Sequence, residues 1–262
     1  MPPKAKSKSK KDLSLTKPSP SHPKPNWPPL RPLIPSSDLS LSPLLRDQIY
    51  LIPNLLPSSL CKTYVSFLAS LPLVTTPGKP KKDEALRVND RLQIQDETFA
   101  EMLWSETALK ELITVRAVEG EEEEEEEGEH GTPRRRSMEE IWGGVPLGLN
   151  ANIRIYRYSR GQFFGAHYDD YNTVTFSSPS YSSRPGRTTW TLLIYLTNCT
   201  GGETVFYPEA TRTNRNPSPV SVAPQTGMAL LHRHGDSCLF HEGKEVLDGE
   251  KWVLRSDLVV EC

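Results

Sequence analysis

The sequence predicts an α+β domain with a mainly β core: a sandwich or barrel of short strands, supported by helices that precede it in the chain. Three observations predict this. From Asn150 onward, short apolar runs alternate with Gly, Pro, Ser and Asn, the pattern of many short strands joined by turns. Two upstream segments carry apolar residues at helical spacing, as suits helices packed on one face of a β-core. The remaining stretches are rich in Pro, Lys, Ser or Glu and too poor in apolar residues to offset the entropy of ordering.

Residues 1–46 read as a disordered tail. The first 24 residues hold seven lysines and one acid, and prolines recur from Pro18 to Pro29. The lysine cluster suits either a solubilising tail or a nuclear address, and Trp27 with the leucines after it suits an arm docked on the folded part. The domain proper is expected over 47–262. IYLIPNLL (49–56) predicts a strand, and Pro57-Ser58-Ser59 opens a helix through Leu60, Tyr64, Phe67, Leu68 and Leu71. TTPGKPKKD (75–83) reads as a polar loop. Asp96 is a good N-cap for a second helix through Phe99, Leu103 and Trp104 towards Leu112.

Glutamates dominate 119–129, and Arg134-Arg135-Arg136-Ser137 follows, with the look of a basophilic kinase site. Like charges at this density stay solvated, so 119–137 is expected to be a disordered insertion in a surface loop. Strands are expected at 152–159, 188–197, 203–207, 220–223, 227–233 and 251–260, with 171–187 a polar flap and Gly201-Gly202 a tight turn.

Over 262 residues the net charge is only −2, which argues against a surface built for nucleic acid or membrane. The four cysteines form no CxxC pair. No stretch reaches the ~20 apolar residues that cross a bilayer, and no apolar segment follows the basic N-terminus as in a secretory signal. A soluble, intracellular protein of cytoplasm or nucleus is expected, with no membrane and no direct nucleic-acid contact. Nothing in the sequence sets its oligomeric state.

The chemistry lies in two places. In GQFFGAHYDD (161–170), alternation of an extended chain puts His167 and Asp169 on one face and turns Asp170 away. Alone, HxD is as often a solvated turn. Some seventy residues on, SCLFHEGKEV places His241 after an apolar run, and Lys251 and Arg255 stand on the final strand. Two histidines and a carboxylate make the facial triad of non-haem Fe(II) oxygenases, leaving three positions open. A cation on a mostly apolar strand is costly unless it meets an anion, which a dicarboxylate cosubstrate supplies.

RIYRYSRGQFFGAHYDD, TTWTLLIYLT, GGETVFYP, GMALLHRHGDSCLFHEG and KWVLRSDLVV, in that order, resemble the catalytic domain of the prolyl 4-hydroxylase-like 2-oxoglutarate/Fe(II) oxygenases. RVNDRLQIQDETFAEMLW (87–104) resembles a helical lead-in of plant and fungal relatives. The resemblance implies a distorted double-stranded β-helix, the jelly-roll of cupin type. It implies His167, Asp169 and His241 as iron ligands and Lys251 as the partner of the distal 2-oxoglutarate carboxylate. Arg255 is second choice for that partner, and Tyr158 a further cosubstrate contact. Implied cosubstrates are 2-oxoglutarate and O2, with room for ascorbate. The implied substrate is a prolyl residue of a protein or peptide.

Other residues take blander readings. His232 and His234 precede the HEG signature and read as structural; Trp190 and Phe206 read as core; Asn89 and Arg91 read as an ion-paired loop. Two other classes stay open. A non-catalytic binding module on the same fold would be marked by an incomplete triad. A zinc-dependent hydrolase using His/Asp/His would leave Lys251 and GGETVFYP without a role.

Overall fold

Period-two alternation in the last strand divides the molecule into two packed layers. In the computed structural model, which describes residues 24–76, 85–116, 137–179, 181–212 and 214–262, Trp252 and Leu254 point to one side and Val253 to the other. The elements are β1 (Ser42–Leu45), β2 (Ile49–Ile52), α1 (Ser58–Ala69), β3 (Val74–Thr75), β4 (Arg87–Val88), β5 (Asp90–Gln95), α2 (Glu97–Glu106), α3 (Leu109–Glu111), α4 (Met138–Trp142), β6 (Pro146–Leu149), β7 (Asn152–Tyr158) and β8 (Phe163–His167). They continue with β9 (Thr173–Ser178), β10 (Tyr181–Tyr195), β11 (Cys199–Gly201), β12 (Thr204–Tyr207), β13 (Val220–Val222), β14 (Ala229–Arg233), β15 (Phe240–Gly243), β16 (Val246–Gly249) and β17 (Lys251–Glu261).

The larger sheet runs β1-β2-β14-β10-β17-β7-β5-β3, and a smaller one runs β13-β12-β15-β8-β4. All pairings are antiparallel among the described residues. This is the expected α+β class with a mainly β core: a distorted double-stranded β-helix in which two sheets face each other and helices cover one outer side.

That outer side buries Leu92, Ile94, Ile155, Leu192 and Leu254 against Tyr64, Leu68, Phe99 and Leu103 of α1 and α2. Asp96 caps α2 as expected, its side chain accepting from the amides of Thr98 and Phe99, an arrangement worth about 1 kcal/mol. Between the sheets a second cluster joins Tyr156, Tyr158, Tyr195, Leu230 and Val253 to Phe206, Val222 and Val246. The functional residues lie in this gap.

The expected tail boundary at 46 sits inside packed chain. Trp27 stacks on Phe99 at 3.7 Å between centroids and donates through Nε1 to Asp96 at 2.9 Å. Leu30 and Leu39 are buried in the helical core, and Ser42–Leu45 adds an edge strand. Proline lowers the ordering cost of such an arm, and Trp27, Leu30, Leu33, Ile34, Leu39 and Leu41 pack it against the helical core. The remainder of the expected tail, 1–23, and most of the acidic insertion, 117–136, lie outside the described residues. Ser137 caps α4, its hydroxyl accepting from the Glu140 amide while the Glu140 carboxylate accepts from the Ser137 amide.

The expected flap at 171–187 is instead a β-hairpin, with β9 paired to the first half of β10. Its alternating Thr-Val-Thr-Phe run is strand-forming, a signal masked by the Ser and Pro that follow. No helix among the described residues is long and apolar enough to cross a membrane.

Candidate metal centre

β8 and β15 are neighbours in the smaller sheet, in a register that sets His167 opposite His241. Both side chains point inward because Phe206, opposite His241 on β12, belongs to the inner core. Asp169 follows β8 by two residues and keeps the same inward parity. Its backbone amide donates to Cys238 Sγ at 3.3 Å, and its carbonyl accepts from the Gly235 amide at 2.9 Å. Asp170 faces out, as alternation requires, and accepts the Tyr171 amide.

His167, Asp169 and His241 bring one ligand atom each to within 4.8 Å of one another. His167 Nε2 lies 3.7 Å from Asp169 Oδ1, and His241 Nε2 lies 3.8 Å from Oδ2. Each histidine makes an Nδ1 contact to a backbone carbonyl, Gly165 O and Leu239 O, both at 2.9 Å. An Nδ1–H donated there leaves the Nε2 lone pair facing the carboxylate, the tautomer that a metal requires. Burial, then the neighbouring His241, pushes the His167 pKa down to about 4, and burial lowers that of His241. Burial alone would raise the Asp169 carboxyl, but the Arg255 guanidinium leads the neighbours that hold it well below the usual range. Two neutral imidazoles and one carboxylate therefore converge, a donor set that fits a divalent iron.

One cavity connects this cluster to β17. Its lining includes Tyr156, Tyr158, Thr204, His232, Lys251 and Arg255 beside the triad. The two basic residues stand on one face of β17 but meet different partners. Lys251 Nζ donates to Gly202 O at 2.7 Å and Thr204 Oγ1 at 3.4 Å, and lies over the rings of Tyr158 and Tyr195 at 5.6 and 5.4 Å. It is buried with no carboxylate in ion-pair distance among the described residues, and burial pushes its pKa down to about 8. Arg255 Nη2 lies 2.9 Å from Asp169 Oδ2 and 3.6 Å from Asp257 Oδ1. Tyr158 sits opposite Lys251 in the β7–β17 ladder, buried in the same lining.

The Gly201-Gly202 turn has a specific task. Both residues have positive φ, +73° and +69°, and a Cβ on Gly201 would collide with the Glu245 carbonyl. The turn presents the Gly202 carbonyl to Lys251.

His232 lies closer to the chemistry than its structural reading implies. Its Nε2 is 3.6 Å from Asp169 Oδ2, and its ring centroid is 4.6 Å from that of His241. With Cys238 and His241 it forms a second buried set of possible ligands. The HxH spacing of His232 and His234 held the signal, since period two gives both the same parity. Trp190 and Phe206 are core, as expected. Asn89 is buried, and Arg91 bonds Gln93 rather than an acid. Residues 172–177 line a separate polar cleft with Gln95, Asn152 and Arg154.

Residues 153–256 match the sequence model of the 2OG-Fe(II) oxygenase superfamily. That stretch contains the triad, Tyr158, Lys251 and Arg255. Two curated relatives from Arabidopsis thaliana are similar over 131 residues: Probable prolyl 4-hydroxylase 4 at 34% identity and Prolyl 4-hydroxylase 2 at 31%. In each case 42% of this chain is aligned with 42% of the relative, so the chain spans less than half the length of the relatives it matches. Among solved structures, a Trichoplax adhaerens prolyl hydroxylase in complex with a hypoxia inducible factor peptide fragment superposes with TM-score 0.51 at 17% identity, covering 82% of this chain and 85% of that one. A Pseudomonas putida prolyl-4-hydroxylase superposes with TM-score 0.50 at 13% identity, covering 82% and 94%. The double-stranded β-helix is thus shared with both.

Proposed function

We propose that this chain is an Fe(II)- and 2-oxoglutarate-dependent dioxygenase that hydroxylates a C–H bond, with a prolyl residue of a protein or peptide as substrate. The observation that carries the proposal is a buried ammonium, Lys251, without a carboxylate partner among the described residues, in the same cavity as a His/Asp/His cluster. A buried cation persists when an anion meets it, and a dicarboxylate cosubstrate chelated at the triad would bring one. A hydrolase would leave that ammonium without a task, and a non-catalytic module would not need the complete triad. The matched family and the prolyl 4-hydroxylase relatives support the substrate class.

In this reading His167, Asp169 and His241 hold the metal on one side. Lys251 receives the far carboxylate of 2-oxoglutarate, and the rings of Tyr158 and Tyr195 keep its ammonium dry. When bound, iron with 2-oxoglutarate and O2 supplies the oxidation: one oxygen atom enters the substrate C–H bond and the other leaves in succinate, with release of CO2. The protein's own contribution is orientation and exclusion of water, so that one C–H bond faces the metal.

Anaerobic titration of the protein with Fe(II) and 2-oxoglutarate tests the proposal. A weak visible charge-transfer band, absent in His241→Ala, is expected. Succinate release that depends on a proline-containing peptide would then fix the substrate class. No band, with iron and cosubstrate each failing to bind, would sink the reading.

A further inference from the structure

Asp169 is held by more than its neighbours in the cluster, and the holding is directional. Its Oδ2 accepts from Thr191 Oγ1 at 3.0 Å. Thr191 Oγ1 contacts His234 Nδ1 at 3.0 Å, and His234 Nε2 contacts Thr188 Oγ1 at 3.0 Å. Thr188 Oγ1 in turn accepts from the backbone amide of Asn172 at 2.9 Å. Thr188, Thr191 and His234 are all buried, so each group must find its partner inside the protein.

Among these side-chain contacts, proton counting leaves one fully satisfied arrangement, and the Thr188 backbone is a further partner of the His234 ring. An amide N–H only donates, so Asn172 donates to Thr188. An ionised carboxylate only accepts, so the Thr191 hydroxyl donates to Asp169. Thr191 then has two lone pairs, which take Arg255 Nη2 at 3.3 Å and His234 Nδ1–H. His234 is left with a lone pair on Nε2, which accepts the Thr188 hydroxyl. The chain of donors runs one way, from the root of the β9–β10 hairpin to the carboxylate. The segment carrying His234 also braces the Asp169 backbone, through the Gly235 amide and Cys238 Sγ.

We propose that His234 is a positioning residue for the metal-binding carboxylate of Asp169, acting through Thr191 and itself oriented by Thr188. This rests on reading His167, Asp169 and His241 as a metal centre. Neutral His234 sets the direction in which the Thr191 hydroxyl points, and that hydroxyl fixes the rotamer of Asp169. Groups that orient a metal ligand from behind typically change metal affinity by about 10- to 100-fold when removed.

The test uses the full-length apoprotein and Co(II), with affinity by calorimetry and the ligand-field absorption of the bound ion as a second readout. Thr191→Val and His234→Leu are expected to weaken Co(II) by about 10- to 100-fold and to shift the absorption. Thr191→Ser and His234→Asn, which keep the hydroxyl and an N–H at the Nδ1 position, are expected to stay within about threefold of the wild type. Thr188→Val is a supporting variant: its hydroxyl reaches Asp169 through His234 but also accepts the Asn172 amide, three residues along the chain from Asp169, so it is read beside His234→Leu and His234→Asn. It is expected to weaken Co(II) and to lower the apoprotein Tm, since His234 and the Asn172 amide both lose a partner, whereas Thr188→Ser, which keeps the hydroxyl, should restore both; this pair keeps the test open should His234→Leu fail to fold. Wild-type affinity and spectrum in Thr188→Val and in a folded His234→Leu, beside a weakened Thr191→Val, would overturn the proposal and end the chain at Thr191. A wild type that binds no Co(II) would overturn the metal centre itself, a distinguishable failure.

Discussion

Arg255 Nη2 lies 2.9 Å from Asp169 Oδ2, whereas Lys251, four residues earlier on the same face of β17, donates among the described residues only to a carbonyl and a hydroxyl. Two cations in one cavity therefore have different vacancies. Arg255 is already neutralised by Asp169, and by Asp257 behind it. In the proposed reading, Lys251 is the one that takes an incoming anion.

The first prediction separates them. Lys251→Ala is expected to weaken 2-oxoglutarate by roughly 10- to 100-fold, the worth of a charge-assisted bond of about 1.5–3 kcal/mol. Arg255→Gln is expected to leave cosubstrate affinity within about threefold and to alter the metal centre instead. Calorimetry of 2-oxoglutarate on the Mn(II)-loaded protein checks both. A larger loss in Arg255→Gln would make Arg255 the anchor.

The pH dependence of cosubstrate binding follows from the Lys251 pKa of about 8, set by burial. A dianion binds the ammonium, so the bound complex has a higher pKa than the free cavity. Affinity is then flat below pH 8 and falls as pH rises above it, approaching tenfold per unit by linkage. Lys251→Ala should flatten this profile. A profile that stays steep in the variant would place the titration elsewhere.

His167→Ala and His241→Ala each remove one of the three proposed metal ligands. Both are expected to lose Co(II) and Fe(II) binding while the apoprotein still unfolds cooperatively, since neither side chain anchors the helical core. Retention of metal affinity within tenfold in either variant, measured by calorimetry, would contradict the assigned triad.

The metal-free protein should lose stability in mild acid. Burial first, then His241, holds the folded-state pKa of His167 near 4, against an ordinary value of 6.5, and His232, His234 and His241 shift the same way. Between those two values the unfolded chain binds more protons than the folded one, so stability rises with pH across that window and is lost as pH falls through it. The slope is up to about 1.4 kcal/mol per pH unit for each such histidine. Urea denaturation from pH 4 to 7 measures it; a flat curve would mean that the histidines are not desolvated.

Much of the architecture and the core of the site can be read from local chemistry. The parity of His167 and Asp169 follows from alternation within one strand, and Asp96 announces its helix by its side chain alone. What escapes is whatever depends on a partner distant in sequence. His232 and His234 look like polar interruptions of an apolar strand until β10 places Thr191 beside β14, in register with His232. The split between Lys251 and Arg255 is likewise invisible, because Asp169 lies far upstream of the residue it neutralises. Trp27 was legible as an arm, but the boundary of that arm depends on Phe99 being there to stack on.

That arm gives the last prediction. Trp27 contributes a stacked ring and a hydrogen bond to Asp96, the residue that caps α2, and Tyr64 Oη donates to Pro28 O at 2.8 Å. Removing residues 1–23 takes away none of these contacts; removing 1–46 takes away all of them together with Leu30, Leu39 and the edge strand β1. Trp27→Ala is expected to cost about 2 kcal/mol, less than a fully buried tryptophan because the ring is only partly buried. The arm packs on the helical side of the larger sheet and the cavity lies on the other, so the affinity for 2-oxoglutarate should stay unchanged in Trp27→Ala. Thermal unfolding of the two truncations and the point variant checks the order: wild type equal to the short truncation, then Trp27→Ala, then the long truncation. A long truncation as stable as the wild type would return the boundary to residue 47.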